Sequence, residues 1–196
     1  MDDVAFFETL FIGDIVPEDM SFDVFENGDQ SKKSFKDLRG SWTVLFFYPA
    51  DFTFVCPTEL EELADMKNDF EKEGVNIVSM SRDTVFVHKA WHDQSSAIGK
   101  ITFPMGSDPT GEISETFGVN IFEEGVTLRA TFIIDPDGVI KAMEVNDNSI
   151  GRSAKELLRK IKAAKFVREN GGNVCPASWE PGNDALKPGM DLVGKI

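Results

Sequence analysis

The sequence predicts an α/β fold, a mixed β-sheet flanked by helices, with an extended arm at its C-terminal end. Three observations carry that prediction. Two short apolar-rich runs, Trp42–Phe47 and 75–80, flank a segment of helical periodicity. That order makes a βαβ unit, with parallel strands and a right-handed crossover. Further on, 131–134 and 139–145 are strand-like runs joined by the turn signal Asp135-Pro136-Asp137-Gly138, which makes an antiparallel pair. Beyond Gly172 periodicity stops, and Pro176, Pro181, Gly182, Pro188, Gly189 and Gly194 punctuate a tail that reads as an arm. The expected division is a domain over 1–172 and an arm over 173–196.

Taken in order, residues 1–40 are rich in loops. Phe22-Asp23-Val24-Phe25 alternates, and Glu26-Asn27-Gly28-Asp29 is a turn signal, so a small hairpin is expected there. The helix over 57–73 carries Leu60, Leu63, Ala64 and Phe70 on one face and Glu61, Glu62, Asp65 and Lys67 around it, with Gly74 placed to end it. Asp83 or Thr84 caps a second helix bearing His88, Trp91 and His92. A short helix over 111–117 precedes Gly118. Ser153 caps a last helix with Leu157, Leu158, Ile161 and Ala164 inward, ending near Asn170-Gly171-Gly172.

The 196 residues suffice for one full core. The net charge of −14 argues against nucleic acid and anionic membrane surfaces, both polyanions. No uncharged stretch approaches the roughly 18–20 residues that span a bilayer. Met1-Asp2-Asp3 lacks the basic start of a secretion signal, so the cytoplasm is the expected compartment. Cys56 and Cys175 are the two cysteines, far apart in sequence. In a reducing compartment they are either unrelated buried thiols or a pair whose disulfide is catalytic.

Cys56 stands where a strand hands over to a helix, in Tyr48-Pro49-Ala50-Asp51-Phe52-Thr53-Phe54-Val55-Cys56-Pro57-Thr58-Glu59, with Pro57 suited to the first helical position. Unsatisfied backbone N–H groups and the positive end of the helix dipole favour thiolate over thiol there. An ordinary cysteine, near 8.5, is only a few per cent thiolate at neutral pH. Bringing such a thiol to about 6 needs roughly 3.4 kcal/mol, whereas a helix terminus supplies at most about 2. A cationic partner is therefore required, and a donor such as Thr53 helps. Which arginine approaches is a non-local matter that spacing does not reveal.

Pro49-x3-Thr53-x2-Cys56, within Phe46-Phe47-Tyr48-Pro49-Ala50-Asp51-Phe52-Thr53-Phe54-Val55-Cys56-Pro57-Thr58-Glu59-Leu60, resembles the active-site signature of the peroxiredoxins. Val174-Cys175-Pro176-Ala177-x-Trp179 resembles the resolving-cysteine motif of the typical two-cysteine branch. Asp191-Leu192-Val193-Gly194-Lys195-Ile196 is similar to the ending of the bacterial alkyl hydroperoxide reductase C type. The resemblance runs from about residue 13 onward and implies a thioredoxin-like fold. It implies a peroxidatic Cys56 that becomes a sulfenic acid, with Thr53 hydrogen-bonding thiolate and peroxide and Pro49 shielding the pocket. Arg129, in Leu128-Arg129-Ala130-Thr131-Phe132, matches the arginine that stabilises the thiolate and the developing charge. Glu59 and Arg152 match residues that orient it. Cys175 of a partner subunit would resolve the sulfenic acid as a disulfide.

The resemblance also implies a homodimer, five of which close into a decamer, with Asp83, Thr84, Phe86 and Phe52 resembling the ring interface. It implies no cofactor in this chain, and a flavoprotein disulfide reductase or a thioredoxin-type protein as electron donor. Ala97-Ile98-Gly99-Lys100 lacks the Gly-Gly-Leu-Gly motif of the hyperoxidation-sensitive branch, and no Tyr-Phe helix precedes the end at Ile196; resistance to sulfinic acid formation is the expectation. His88 and His92, four apart, have a zinc-compatible spacing, but the glutamate of a His-Glu-x-x-His motif and any Cys-x-x-Cys are absent, so no metal is expected. Two rivals to the peroxidase remain: a disulfide oxidoreductase, which would want a local Cys-x-x-Cys, and a redox-switched oligomeric chaperone.

Overall fold

The computed structural model describes residues 9–195; the Met1-Asp2-Asp3 start and the terminal Ile196 lie outside them. The described chain separates after Ser153 into two compact units. In the first, a seven-stranded mixed sheet has the order Asp29–Ser34, Ser21–Glu26, Met105–Ser107, Val75–Ser81, Trp42–Phe47, Arg129–Ile134, Ile140–Asn146. Strands β1 (Ser21–Glu26) and β2 (Asp29–Ser34) form the expected hairpin, with Asn27 and Gly28 both at positive φ as a tight two-residue turn demands. Strand β3 (Trp42–Phe47) runs parallel to β4 (Val75–Ser81), as the βαβ reading requires. The pair β8 (Arg129–Ile134) and β9 (Ile140–Asn146) is antiparallel, and β8 also lies antiparallel to β3.

Several elements depart from expectation. The helix over 57–73 is two helices, α1 (Cys56–Asp65) and α2 (Lys67–Lys72), broken at Met66 where the backbone leaves the helical region. Thr84 holds the cap position of α3 (Val85–Gln94) without a side-chain bond. The Asp83 carboxylate is instead taken by the Asp51 N–H and the Ser81 hydroxyl. Strand β8 begins at Arg129 rather than Thr131. Strand β5 (Met105–Ser107) and the small hairpin of β6 (Asn120–Ile121) and β7 (Val126–Thr127) carried no legible signal, being two or three residues long. A short helix α4 (Glu112–Thr116) sits where one was expected.

The two faces of β8 separate structure from chemistry. Ala130, Phe132 and Ile134 join Leu45, Phe47, Val78, Met80, Phe117 and Ile140 in the main apolar core. The alternate residues, Arg129 and Thr131, point to the opposite face, because side chains alternate along a strand. Both are buried.

The second unit contains α5 (Ala154–Glu169) and the chain that follows. Trp179 is buried and packs at a tilt against Phe166 with centroids 4.7 Å apart, while Arg159 Nη1 donates to the Trp179 carbonyl at 2.9 Å. An isolated bridge joins Val174 to Leu186. Among the described residues no helix is long and apolar enough to cross a membrane.

Candidate active site

The Cys56 thiol is the first residue of α1, immediately after the loop that leaves the carboxyl end of β3. Pro57 follows at the second helical position, where it has no N–H to offer, and the Thr58 and Glu59 N–H groups go to the Val55 carbonyl at 3.0 and 3.3 Å. Leu60 and Leu63 bury the other side of the helix. The register of β3 with β8 pairs Phe47 with Ala130, which places Arg129 beside the start of the cysteine loop.

From there the Arg129 guanidinium reaches Cys56. Arg129 Nη1 lies 3.3 Å from Sγ and donates to Glu59 Oε2 at 2.8 Å. Glu59, three residues past Cys56 on α1, also accepts from Arg152: at Oε1 from the backbone N–H (2.8 Å) and Nε (2.9 Å), and at Oε2 from Nη2 (3.1 Å). Arg152 Nη1 donates to the Thr131 hydroxyl at 3.0 Å, and its guanidinium carbon lies 3.5 Å from the centroid of the Phe46 ring. Burial pulls Arg152 below the ordinary arginine range, and the Glu59 carboxylate opposes that pull. One carboxylate thus meets two guanidiniums in a water-poor site. The Glu144 carboxylate also acts on the Arg152 charge, which leaves Arg129 as the cation in contact with Sγ and the group that favours a thiolate there.

Pro49 is buried at the start of the loop. The Thr53 hydroxyl donates to the Ala50 carbonyl at 2.7 Å, so its single proton is aimed along the loop and its lone pairs face outward. Phe52 is held at φ 55 and leaves half of its surface exposed; Phe54 is 91% exposed. The loop is anchored beneath by a buried cluster that sequence reasoning missed. Tyr48 Oη donates to Asp51 Oδ1 at 2.7 Å, and His88 Nδ1 lies 2.8 Å from Asp51 Oδ2, with His88 Nε2 3.0 Å from the Gly106 carbonyl. Burial, the largest influence, raises Asp51 above the usual carboxylate range, against the His88 contact. His92 Nε2 faces the Ile101 carbonyl at 3.1 Å. Both histidines are therefore engaged with backbone or carboxylate rather than turned toward a shared ion.

Thr127 and Asn148 were also missed. Arg129 Nε donates to the Asn148 carbonyl at 2.9 Å, and the Thr127 hydroxyl donates to the Tyr48 carbonyl at 2.9 Å. Only the turn-prone run Asn146-Asp147-Asn148-Ser149 hinted at structure there. Cys175 lies in the second unit, half-buried, with Sγ 3.8 Å from the Ala163 carbonyl. Burial pushes its thiol up, and Arg159 partly offsets this. Both cysteines are free thiols. A hollow of about 260 Å³ between Lys33, Lys67, Ile77 and Phe103 includes none of the site residues.

A thioredoxin-like sheet with a buried thiol at the first turn of a helix, facing an arginine, defines a cysteine-based redox protein. Comparison with known proteins narrows the class. The AhpC/TSA family model matches residues 12–143. Alkyl hydroperoxide reductase C of Staphylococcus aureus is 56% identical over 173 residues, covering 86% of this chain and 92% of that protein. Among solved structures, Enterococcus faecalis AhpC superposes with a TM-score of 0.82 at 42% identity, over 84% of this chain and 98% of its own. The reduced Plasmodium vivax 2-Cys peroxiredoxin gives 0.87 at 33% identity, over 93% and 95%. The chain belongs to the AhpC/TSA family and is a peroxidase of the peroxiredoxin type.

Proposed function

We propose that this peroxidase reduces hydrogen peroxide and alkyl hydroperoxides to water and alcohols through a two-cysteine cycle. The observation that carries the reading is the 3.3 Å approach of Arg129 Nη1 to Cys56 Sγ, within a buried cluster in which Glu59 holds both Arg129 and Arg152. The relatives named alkyl hydroperoxide reductase C support the substrate class. The Cys56 thiolate attacks the terminal peroxide oxygen and the O–O bond breaks. The departing oxygen takes a proton and leaves as alcohol or water, and Cys56 becomes a sulfenic acid, oxidised by two electrons. Arg129 stabilises the charge that develops on the departing oxygen, with Glu59 and Arg152 holding its guanidinium. Pro49 keeps water out, and Thr53 offers its lone pairs to the peroxide proton.

The Cys175 thiolate of a partner subunit then attacks the Cys56 sulfur, releases water and forms an intersubunit disulfide. The first turn of α1 unwinds for the sulfurs to meet. An external dithiol, supplied by a flavoprotein disulfide reductase or a thioredoxin-type protein, returns both thiols. The cycle runs in a homodimer, in decamers of five dimers, with an arm over 173–196 crossing between subunits, and in the cytoplasm, where thiols stay reduced. The test is peroxide consumption coupled to a dithiol donor, with non-reducing gels alongside. Cys56→Ser abolishes turnover. Cys175→Ser still consumes one equivalent of peroxide but yields no dimer band; full steady turnover in that variant sinks the two-cysteine cycle.

A further inference from the structure

The Cys56–Arg129–Glu59–Arg152 cluster accounts for the Nη1 end of the Arg129 side chain, but not for what holds its Nε side. That side is met by the turn between β9 and α5. In that turn Asn148 touches Arg129 twice. The main-chain carbonyl accepts from Arg129 Nε at 2.9 Å, and the side-chain Oδ1 accepts from the Arg129 backbone N–H at 3.2 Å. The same side chain donates through Nδ2 to the Thr127 carbonyl at 3.3 Å. Thr127 in turn donates through its hydroxyl to the Tyr48 carbonyl at 2.9 Å, at the root of the cysteine loop. One amide therefore bridges the two residues that flank Leu128.

The turn itself is preformed. Asp147 Oδ1 accepts from the Ser149 N–H at 2.8 Å, and the Ile150 N–H closes on the Asp147 carbonyl at 2.9 Å. The serine contacts hold the Asp147 carboxyl below its ordinary value. This preformed turn carries the Asn148 carbonyl, and the amide clip seats that carbonyl against Nε. A guanidinium fixed at Nε can rotate only as a rigid plane. Nη1 then has one orientation, the one that faces both Sγ and Glu59.

The geometry points to Asn148 as a positioning residue for the peroxidase reaction, its amide clamping the turn whose carbonyl orients the Arg129 guanidinium toward Cys56. It touches neither thiol nor peroxide and acts only through Arg129. The inference rests on the proposed peroxidase reading. Losing the clip is expected to cost the transition state about as much as one neutral hydrogen bond, a rate loss of about three- to tenfold.

The experiment is a double-mutant cycle on the full-length chain in the Cys175→Ser background, reading the second-order rate of the first peroxide turnover. The rate of Cys56 alkylation by iodoacetamide is read alongside. Asn148→Ala slows both about three- to tenfold, with a melting temperature within a few degrees of the parent's and an unchanged assembly state. Combined with Arg129→Ala it adds nothing beyond Arg129→Ala alone, because the effect passes through that side chain. If the two losses multiply, or if Asn148→Ala matches the parent, the positioning role is wrong. Should Asn148→Ala fail to fold, Asn148→Asp takes its place, since it keeps an acceptor for the Arg129 N–H and loses the donor to Thr127. Alkylation needs no peroxide, so a parent that alkylates normally but consumes no peroxide overturns the peroxidase reading, while the alkylation cycle still judges Asn148.

Discussion

Glu59 takes four hydrogen bonds on two carboxylate oxygens, three from Arg152 and one from Arg129, with both arginine side chains almost wholly buried. Its charge is the counterweight that lets two cations share a dry site. Glu59→Ala leaves them facing each other and is expected to cost about 3–5 kcal/mol. In a chain of this size that is a fall in Tm on the order of 10 °C, measurable by thermal unfolding. Peroxide reactivity falls with it, since Arg129 loses the partner that aims Nη1. A Glu59→Ala protein as stable as the parent would mean the pair is not what holds the arginines. His88 plays a parallel part beneath the loop: it and Tyr48 are the side chains that meet the buried Asp51 carboxylate. His88→Ala leaves that carboxylate short of a partner. It is expected to destabilise by about 1–3 kcal/mol, read as a fall in Tm of several degrees by thermal unfolding.

At the scale of elements, the chain puts its reactive cysteine on a helix start and its second thiol beside a helix side. Cys175 is pushed up by partial burial, while Arg159, on α5, lowers it. Only the thiolate attacks, so in the proposed cycle disulfide formation after a peroxide pulse accelerates with rising pH until Cys175 is ionised. The sign for Arg159 follows: Arg159→Gln removes the cation, pushes the thiol further up and slows resolution at pH 7, with the gap closing as pH rises. Quenched time courses on non-reducing gels between pH 6 and 9 measure it; equal rates throughout would reject the role. Helix content and the order β, α, β around Cys56 were readable because apolar spacing marks buried faces over ten or more residues. The break at Met66 and the strands of two or three residues were not, because nothing in so short a run distinguishes paired from unpaired chain. Strand β8 began two residues early for the same reason: Arg129, a cation, reads as surface until its buried partners are known.

At the scale of the molecule, the exposed aromatic surface asks for a partner. Phe86 is 73% exposed on the first turn of α3, and Phe52, at the loop, is 52% exposed against Trp91. These are positions that the resemblance assigns to the ring interface, and large solvent-facing rings on a soluble surface mark association sites. If the proposed decamer forms, Phe86→Arg is expected to reduce it to dimers, as read by sedimentation velocity. An unchanged assembly would remove Phe86 from the interface. From local pattern alone the chain disclosed its class of fold, the strand-to-helix placement of Cys56 and the need for a cation that a helix dipole cannot replace. Those features are short-range: periodicity, capping and the energy of one ionisation. Which cation, and what aims it, lay beyond that reach. Arg129 is far from Cys56 in sequence, and the β3–β8 register is what sets it beside the thiol. The holding roles of Asn148, Thr127 and His88 came to light only with the folded chain, because a residue whose whole role is to hold another carries no pattern until the sheet brings the two together.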